Sequence, residues 1–124
     1  MGQSRPPQPT YVLVVEDDPI LMMALVDFVE HAGCEAVEAT TAVEAIQILE
    51  TRLDIRTVFA DLDMRGSTAC MQFVLLIRER WPPLELLMVS SQSWDAAQIP
   101  ERGMVLGKPF DRHRIVAAIQ KFAI

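Results

Sequence analysis

Several things that mark a protein class on sight are scarce in this 124-residue chain. It has only two cysteines, Cys34 and Cys70. They fall in no metal-ligating spacing and are too few for a disulfide framework, so both are expected as buried thiols in a reducing cytoplasm. No stretch approaches the roughly 18–20 unbroken apolar residues that cross a bilayer. The N-terminal Met1-Gly2-Gln3-Ser4-Arg5-Pro6-Pro7-Gln8-Pro9 lacks the apolar centre of a secretory signal. Basic residues are outnumbered, 11 Lys and Arg against 17 Asp and Glu, and the net charge of −6 counts against nucleic acid as a direct partner. The two histidines, His31 and His113, have no partner at metal or triad spacing and are expected on helix surfaces. There is no repeat and no low-complexity tract. What remains is one cytoplasmic domain with no membrane partner, 51% hydrophobic and long enough to bury roughly two-thirds of its unfolded surface. Residues 1–9, with three prolines, are expected to be a disordered leader, and residues 10–124 the folded domain.

From Tyr11 onward, strand-length apolar runs alternate with amphipathic stretches of helix length. Tyr11-Val12-Leu13-Val14-Val15 is continuous and β-branched, as suits a strand covered on both faces. Asp18-Pro19 predicts a capped helix start and Gly33 its stop, with Leu21, Leu25, Phe28, Val29 and Ala32 on the buried face. A short strand over 35–38 and a helix over 41–51, buried through Val43, Ile46, Ile48 and Leu49, come next. Thr57 to Ala60 is a strand ending in Asp61, and Thr68 to Arg80 a helix stopped by Pro82-Pro83. Leu86 to Val89 is a strand ending in Ser90, and Met104 to Leu106 the last strand. Asp111 caps a final helix buried through Ile115, Val116, Ile119 and Phe122. Trp81, Trp94 and the seven methionines are expected to be packing residues. Such alternation predicts an α/β fold, a doubly wound parallel sheet with helices on both faces. In these sheets ligands bind beyond the carboxyl ends of the strands.

Those ends carry chemistry. The first strand runs into Glu16-Asp17-Asp18, the third into Asp61-Leu62-Asp63, the fourth into Ser90-Ser91, and the fifth is followed by Gly107-Lys108-Pro109. Adjacent tips bring Glu16, Asp17 and Asp61 together, and three neighbouring carboxylates repel unless a cation sits among them. Mg²⁺ suits such a place, because it takes one or two carboxylates and completes its shell with water and phosphate oxygens. With the Lys108 ammonium and the Ser90 hydroxyl on the same rim, the groups match the needs of a phosphoryl group on a carboxylate.

With these residues in place, the chain resembles the receiver domain of two-component response regulators from Val12 to about Ile124. Val12-Leu13-Val14-Val15-Glu16-Asp17-Asp18 is similar to the family's opening strand with its acidic pair, and Lys108-Pro109-Phe110 to its lysine and cis peptide. The resemblance implies a five-stranded sheet in the flavodoxin-like order 2-1-3-4-5. Asp61 would be the phosphoacceptor, and Ser90 and Lys108 would hold the phosphoryl group. Mg²⁺ would be bound by Glu16 (directly or through water), Asp17, Asp61 and the backbone carbonyl of Asp63. The implied partners are a sensor histidine kinase or histidine phosphotransfer protein and an unknown downstream protein. A stand-alone regulator acting by protein contact is expected, with a phosphate sink or a receiver cut from a longer protein as alternatives. Turnover of an external substrate is not expected.

Several positions depart from the family. Arg65 and Ala69 stand where proline and glycine are usual, Val105 replaces an aromatic that rotates on activation, and Ser91 is larger than the common Ala or Gly. Asp63, two residues past the acceptor, is expected to border the path of attacking water, with Arg65 as a possible ion-pair partner. A competing reading is a phosphatase of the haloacid dehalogenase class, whose strand-borne Asp-x-Asp is mimicked by Asp61-Leu62-Asp63. Its metal-binding acids, however, follow the lysine, whereas Glu16 and Asp17 precede everything. Asp61-x-Asp63-x-Arg65-Gly66 fails as an EF-hand and Gly103 to Lys108 fails as a P-loop, both on spacing.

The interval from Ser90 to Lys108 is about one helical turn shorter than in the receivers it resembles. Pro100 and Gly103 leave room for one or two turns at most, so the fourth crossover helix is expected to be short or missing. The Ile99-Pro100-Glu101 stretch is similar to single-domain receivers in which a flexible loop replaces that helix. There, phosphorylation would act through Ser90 by ordering residues 91–103.

Overall fold

Hydrophobic pattern and backbone agree closely in the computed structural model, which describes residues 9–64 and 67–123. The elements run β1 (Tyr11–Val15), α1 (Pro19–His31), β2 (Glu35–Ala39), α2 (Ala42–Thr51), β3 (Ile55–Asp61), α3 (Ser67–Arg80), β4 (Glu85–Ser90), β5 (Gly103–Gly107) and α4 (Arg112–Ala123). The five strands form one parallel sheet in the order β2-β1-β3-β4-β5. Asp18 caps α1 as predicted, its Oδ1 accepting from the Ile20 N–H at 2.9 Å, and Gly33 at φ +88° turns the chain out of the helix. Residues 1–8 of the expected leader, and Arg65, lie outside the described residues. No helix among the described residues is long and apolar enough to cross a membrane.

Because strand side chains alternate, the sheet splits the core in two. Leu13, Val15, Val58, Ala60, Leu86 and Met88 face α2 and α3 and meet Ala45, Leu49, Phe73, Val74 and Ile77. Val12, Val14, Phe59, Leu87 and Val89 face α1 and α4 and meet Leu25, Phe28, Val29, Ile115 and Ile119. Both cysteines are buried and free, and both histidines are exposed, as expected.

Some predicted core positions are displaced by one or two residues. On α2 the inward stripe is Ala45 and Leu49, and Val43 is 66% exposed. On α1 Met22 is buried and Leu21 only half so, while Met23 is exposed rather than packed. On α4 Ala118 takes a buried position, leaving Val116 and Phe122 half-buried.

The fourth crossover helix is absent from the described residues. One 3₁₀ turn, Ala96–Gln98, stands in its place, held by the Gln98 N–H on the Asp95 carbonyl at 2.8 Å and the Asp95 N–H on Gln98 Oε1 at 2.9 Å. The segment is nonetheless tacked down: Trp94 and Ile99 pack against the α2–α3 side of the core. Gly103 closes it by a tight approach, since a Cβ there would lie 2.7 Å from the Pro100 carbonyl oxygen and 3.2 Å from Met88 Cε. Gly103→Ala is therefore expected to destabilise the domain by about 1–3 kcal/mol, read as a lowered thermal midpoint. An unchanged midpoint would show that the crossover yields freely.

Candidate functional site

Parallel register brings the functional residues to one rim. Val15 pairs with Ala60, so Glu16 and Asp61 leave neighbouring strands side by side. Asp61 in turn pairs with Val89, and Ser90 with Gly107, just before Lys108. Backbone bonds continue the sheet past its formal ends: Leu62 N–H to the Val89 carbonyl at 2.9 Å, and Lys108 N–H to the Ser90 carbonyl at 3.0 Å. The Lys108–Pro109 peptide is cis. Beside the strand tips lies an open cleft of about 570 Å³ lined by Glu16, Asp17, Asp61, Asp63 and Lys108.

Lys108 Nζ sits 3.0 Å from Asp61 Oδ2 and 3.2 Å from Asp63 Oδ2, bridging the two carboxylates. Burial works against its charge, but the two acids prevail and hold its pKa above the ordinary lysine value. Asp61, only 2% exposed, is fixed through its other oxygen, which accepts the Asp63 N–H at 2.8 Å. Beneath it, the buried Cys70 thiol donates to the Asp61 carbonyl at 3.1 Å. Burial first, and then the surrounding carboxylates, push the Cys70 pKa up to about 12, so it is no nucleophile here.

On the other side of Asp61, Glu16 is 2% exposed and its Oε1 has no hydrogen-bond partner among the described residues, while Oε2 accepts the Asp18 N–H at 2.9 Å. Burial drives the Glu16 pKa up to about 8, and Asp61 and Asp17 push the same way. The three carboxylates adjoin without converging into a ready-made three-ligand cage among the described residues. A small hard dication needs no such cage, because it takes one or two carboxylates and keeps several waters. A buried carboxylate oxygen with no donor among the described residues, at the edge of an acidic cleft, is a ligand that such an ion could take, so the donor set fits Mg²⁺.

Asp63 turns away from this cation corner. Its Oδ1 accepts the Ser90 hydroxyl at 3.0 Å and its Oδ2 accepts the Ser91 N–H at 2.6 Å, in addition to the Lys108 contact. Although partial burial opposes it, these donors hold its carboxyl below the usual range. Three donors thus hold this carboxylate: the Ser90 hydroxyl, the Ser91 N–H and the Lys108 ammonium.

Ser90 itself is fully buried and fully used. Besides donating to Asp63, its Oγ accepts the Gln92 N–H and the Trp94 indole N–H, each at 3.0 Å. The Trp94 contact is a functional detail that the sequence pattern does not reveal. A tryptophan four residues past a strand-end serine, in a segment too short for a helix, is the signal that could have found it.

The sequence and the fold both have known counterparts. The family model described as the response regulator receiver domain matches residues 12–120. Among solved structures, a response regulator receiver protein from Pseudomonas putida is 26% identical, with a TM-score of 0.77 over 93% of this chain and 98% of that one. A receiver protein from Sinorhizobium medicae, 20% identical, aligns with a TM-score of 0.79 over 94% and 95%. The chemotaxis response regulator CheY4 of Vibrio cholerae, also 20% identical, gives 0.76 over 93% and 99%, a likeness of fold. Curated proteins give no match.

Proposed function

The chain belongs to the response regulator receiver domain family, and from that premise we propose that residues 10–124 form a phosphoacceptor domain in which Asp61 takes a phosphoryl group. The observation that carries this reading is the Lys108 ammonium, 3.0 Å from a carboxylate at the end of β3, with a buried serine hydroxyl at the end of the adjacent strand. That is an acceptor with the positive charge and donor a phosphoryl group requires.

In the proposed reaction an Asp61 carboxylate oxygen attacks the phosphorus of a phosphohistidine on a sensor kinase or phosphotransfer protein. The new O–P bond replaces the P–N bond, and the imidazole nitrogen leaves with the electron pair. The Asp63 N–H, at 2.8 Å, keeps the attacking carboxylate oriented. Lys108 and the Ser90 hydroxyl then share the charge of the acyl phosphate. Mg²⁺, held by Glu16, Asp17, Asp61 and the Asp63 carbonyl, would lower the repulsion between two anions. The domain turns over no external substrate and passes its state on by contact with another protein.

Incubation with acetyl phosphate and Mg²⁺ followed by intact-mass analysis tests the proposal. One added phosphoryl mass, located to the peptide carrying Asp61 and lost when Mg²⁺ is chelated, is expected. No addition, or addition elsewhere, would overturn it.

A further inference from the structure

Asp63 makes three contacts that its position alone does not explain. Its carboxylate reaches the Ser90 hydroxyl at 3.0 Å, the Ser91 N–H at 2.6 Å and the Lys108 ammonium at 3.2 Å. Two of these, Ser90 and Lys108, are the groups assigned above to hold a phosphoryl group on Asp61. The third lies one residue along the same strand end. We propose that Asp63 is a tethered stand-in for the phosphoryl group, seated on its donors in the unphosphorylated chain and expelled when Asp61 is phosphorylated.

The argument is one of valence and charge. A carboxylate oxygen and a phosphoryl oxygen are anionic acceptors that ask for the same donors. The Ser90 hydroxyl has a single proton, now given to Asp63, and its lone pairs already serve Gln92 and Trp94. It cannot donate to a phosphoryl oxygen without releasing Asp63. The Ser91 N–H also has one proton, so it too must choose. Lys108 could serve both anions, but a carboxylate left beside a dianionic acyl phosphate with its other two donors gone is repelled from the site.

Because the competitor is carried on the same chain, two residues from the acceptor, it is always present at high local concentration. Occupied donors lower the apparent affinity for any phosphoryl-like anion by the fraction of molecules in which Asp63 is away. Expulsion also carries information outward. Ser91 loses its anchor at the point where the chain leaves β4, and Ser90, which holds Trp94, changes the acceptor of its proton. The 3₁₀ segment is thereby coupled to the acceptor without the rotating aromatic that Val105 replaces.

This inference rests on the phosphoacceptor reading, and the experiment separates the two. Beryllofluoride with saturating Mg²⁺ is titrated into a Trp81→Phe background, with Trp94 fluorescence as the signal and the carboxyl carbon resonance of Asp63 as the second readout. The expected result is that Asp63→Ala tightens half-saturation about tenfold. Asp63→Asn should do so by less, since its amide oxygen can still accept from Ser90. In the parent chain, saturation should move the Asp63 carboxyl resonance toward that of a solvated aspartate, which a general charge effect would not do. Binding by the parent with an unmoved Asp63 resonance and no gain in either variant would overturn the stand-in while leaving the phosphoacceptor reading intact. No beryllofluoride binding by the parent would overturn both.

Discussion

Asp61→Asn should abolish phosphoryl labelling while leaving the fold at least as stable as before. The asparagine oxygen can still accept the Asp63 N–H that now reaches Asp61 Oδ1 at 2.8 Å. Its amide nitrogen then faces Lys108, which keeps Asp63 at 3.2 Å as its counter-ion. Meanwhile Glu16, whose carboxyl is burdened by burial and then by Asp61, loses a like-charged neighbour. An equal or raised thermal midpoint with no added phosphoryl mass is thus the expected pair of results. Lys108→Ala is the complement: the acceptor survives but its ammonium is gone, and labelling by acetyl phosphate should slow by about 10²-fold, the usual cost of removing one stabilising donor. Full labelling of Asp61→Asn would remove that residue from the acceptor role. An unslowed Lys108→Ala would show that the ammonium is a structural counter-ion only.

Much of this arrangement is legible in the sequence, and the reasons differ by level. The five strands and the parallel sheet follow from runs such as Val12 to Val15, which only a strand covered on both faces would carry. The acidic, hydroxyl and lysine positions follow because a parallel sheet gathers the residues after each strand to one edge. The precise inward face of a helix is less legible. On α2, side-chain type favours Val43, yet Val43 is exposed and Ala45 lies in the inward stripe with Leu49. The structure buries Ala45 because the helix lies close over β1 and β2, where a small side chain fits. Least legible are the partners of Asp63 and Trp94. Asp63 bonds to the end of the neighbouring strand and Trp94 back to the end of the strand it follows, contacts set by loop geometry that leave no period in the sequence. The missing crossover helix, by contrast, was readable from chain length and Pro100 alone, because a helix cannot be built from residues that are not there.

Ser90→Ala should cost more than a hydroxyl usually does, because three neighbours depend on that one oxygen. The Gln92 N–H and the Trp94 indole N–H would lose their acceptor and Asp63 Oδ1 its donor, all around an atom that is fully buried. Leaving such groups unsatisfied costs about 1–3 kcal/mol, a drop of several degrees in thermal midpoint for a domain of this size. The loss should be local in its dynamics. Trp94 is one of two side chains tacking the 91–99 segment to the core, the other being Ile99. With its indole released, amide exchange should accelerate from Gln92 to Gln98, while β1 and β3 exchange as before. Ser90→Thr, which keeps the hydroxyl, is the control that isolates the hydrogen bonds from the side-chain volume, and it should retain slow exchange. Trp94→Phe removes only one of the three bonds, so it should loosen the same residues with a smaller loss of stability. If Ser90→Ala left exchange through 92–98 at the parent rate, the segment would be held by packing alone, and the serine could not transmit the state of Asp61 to it.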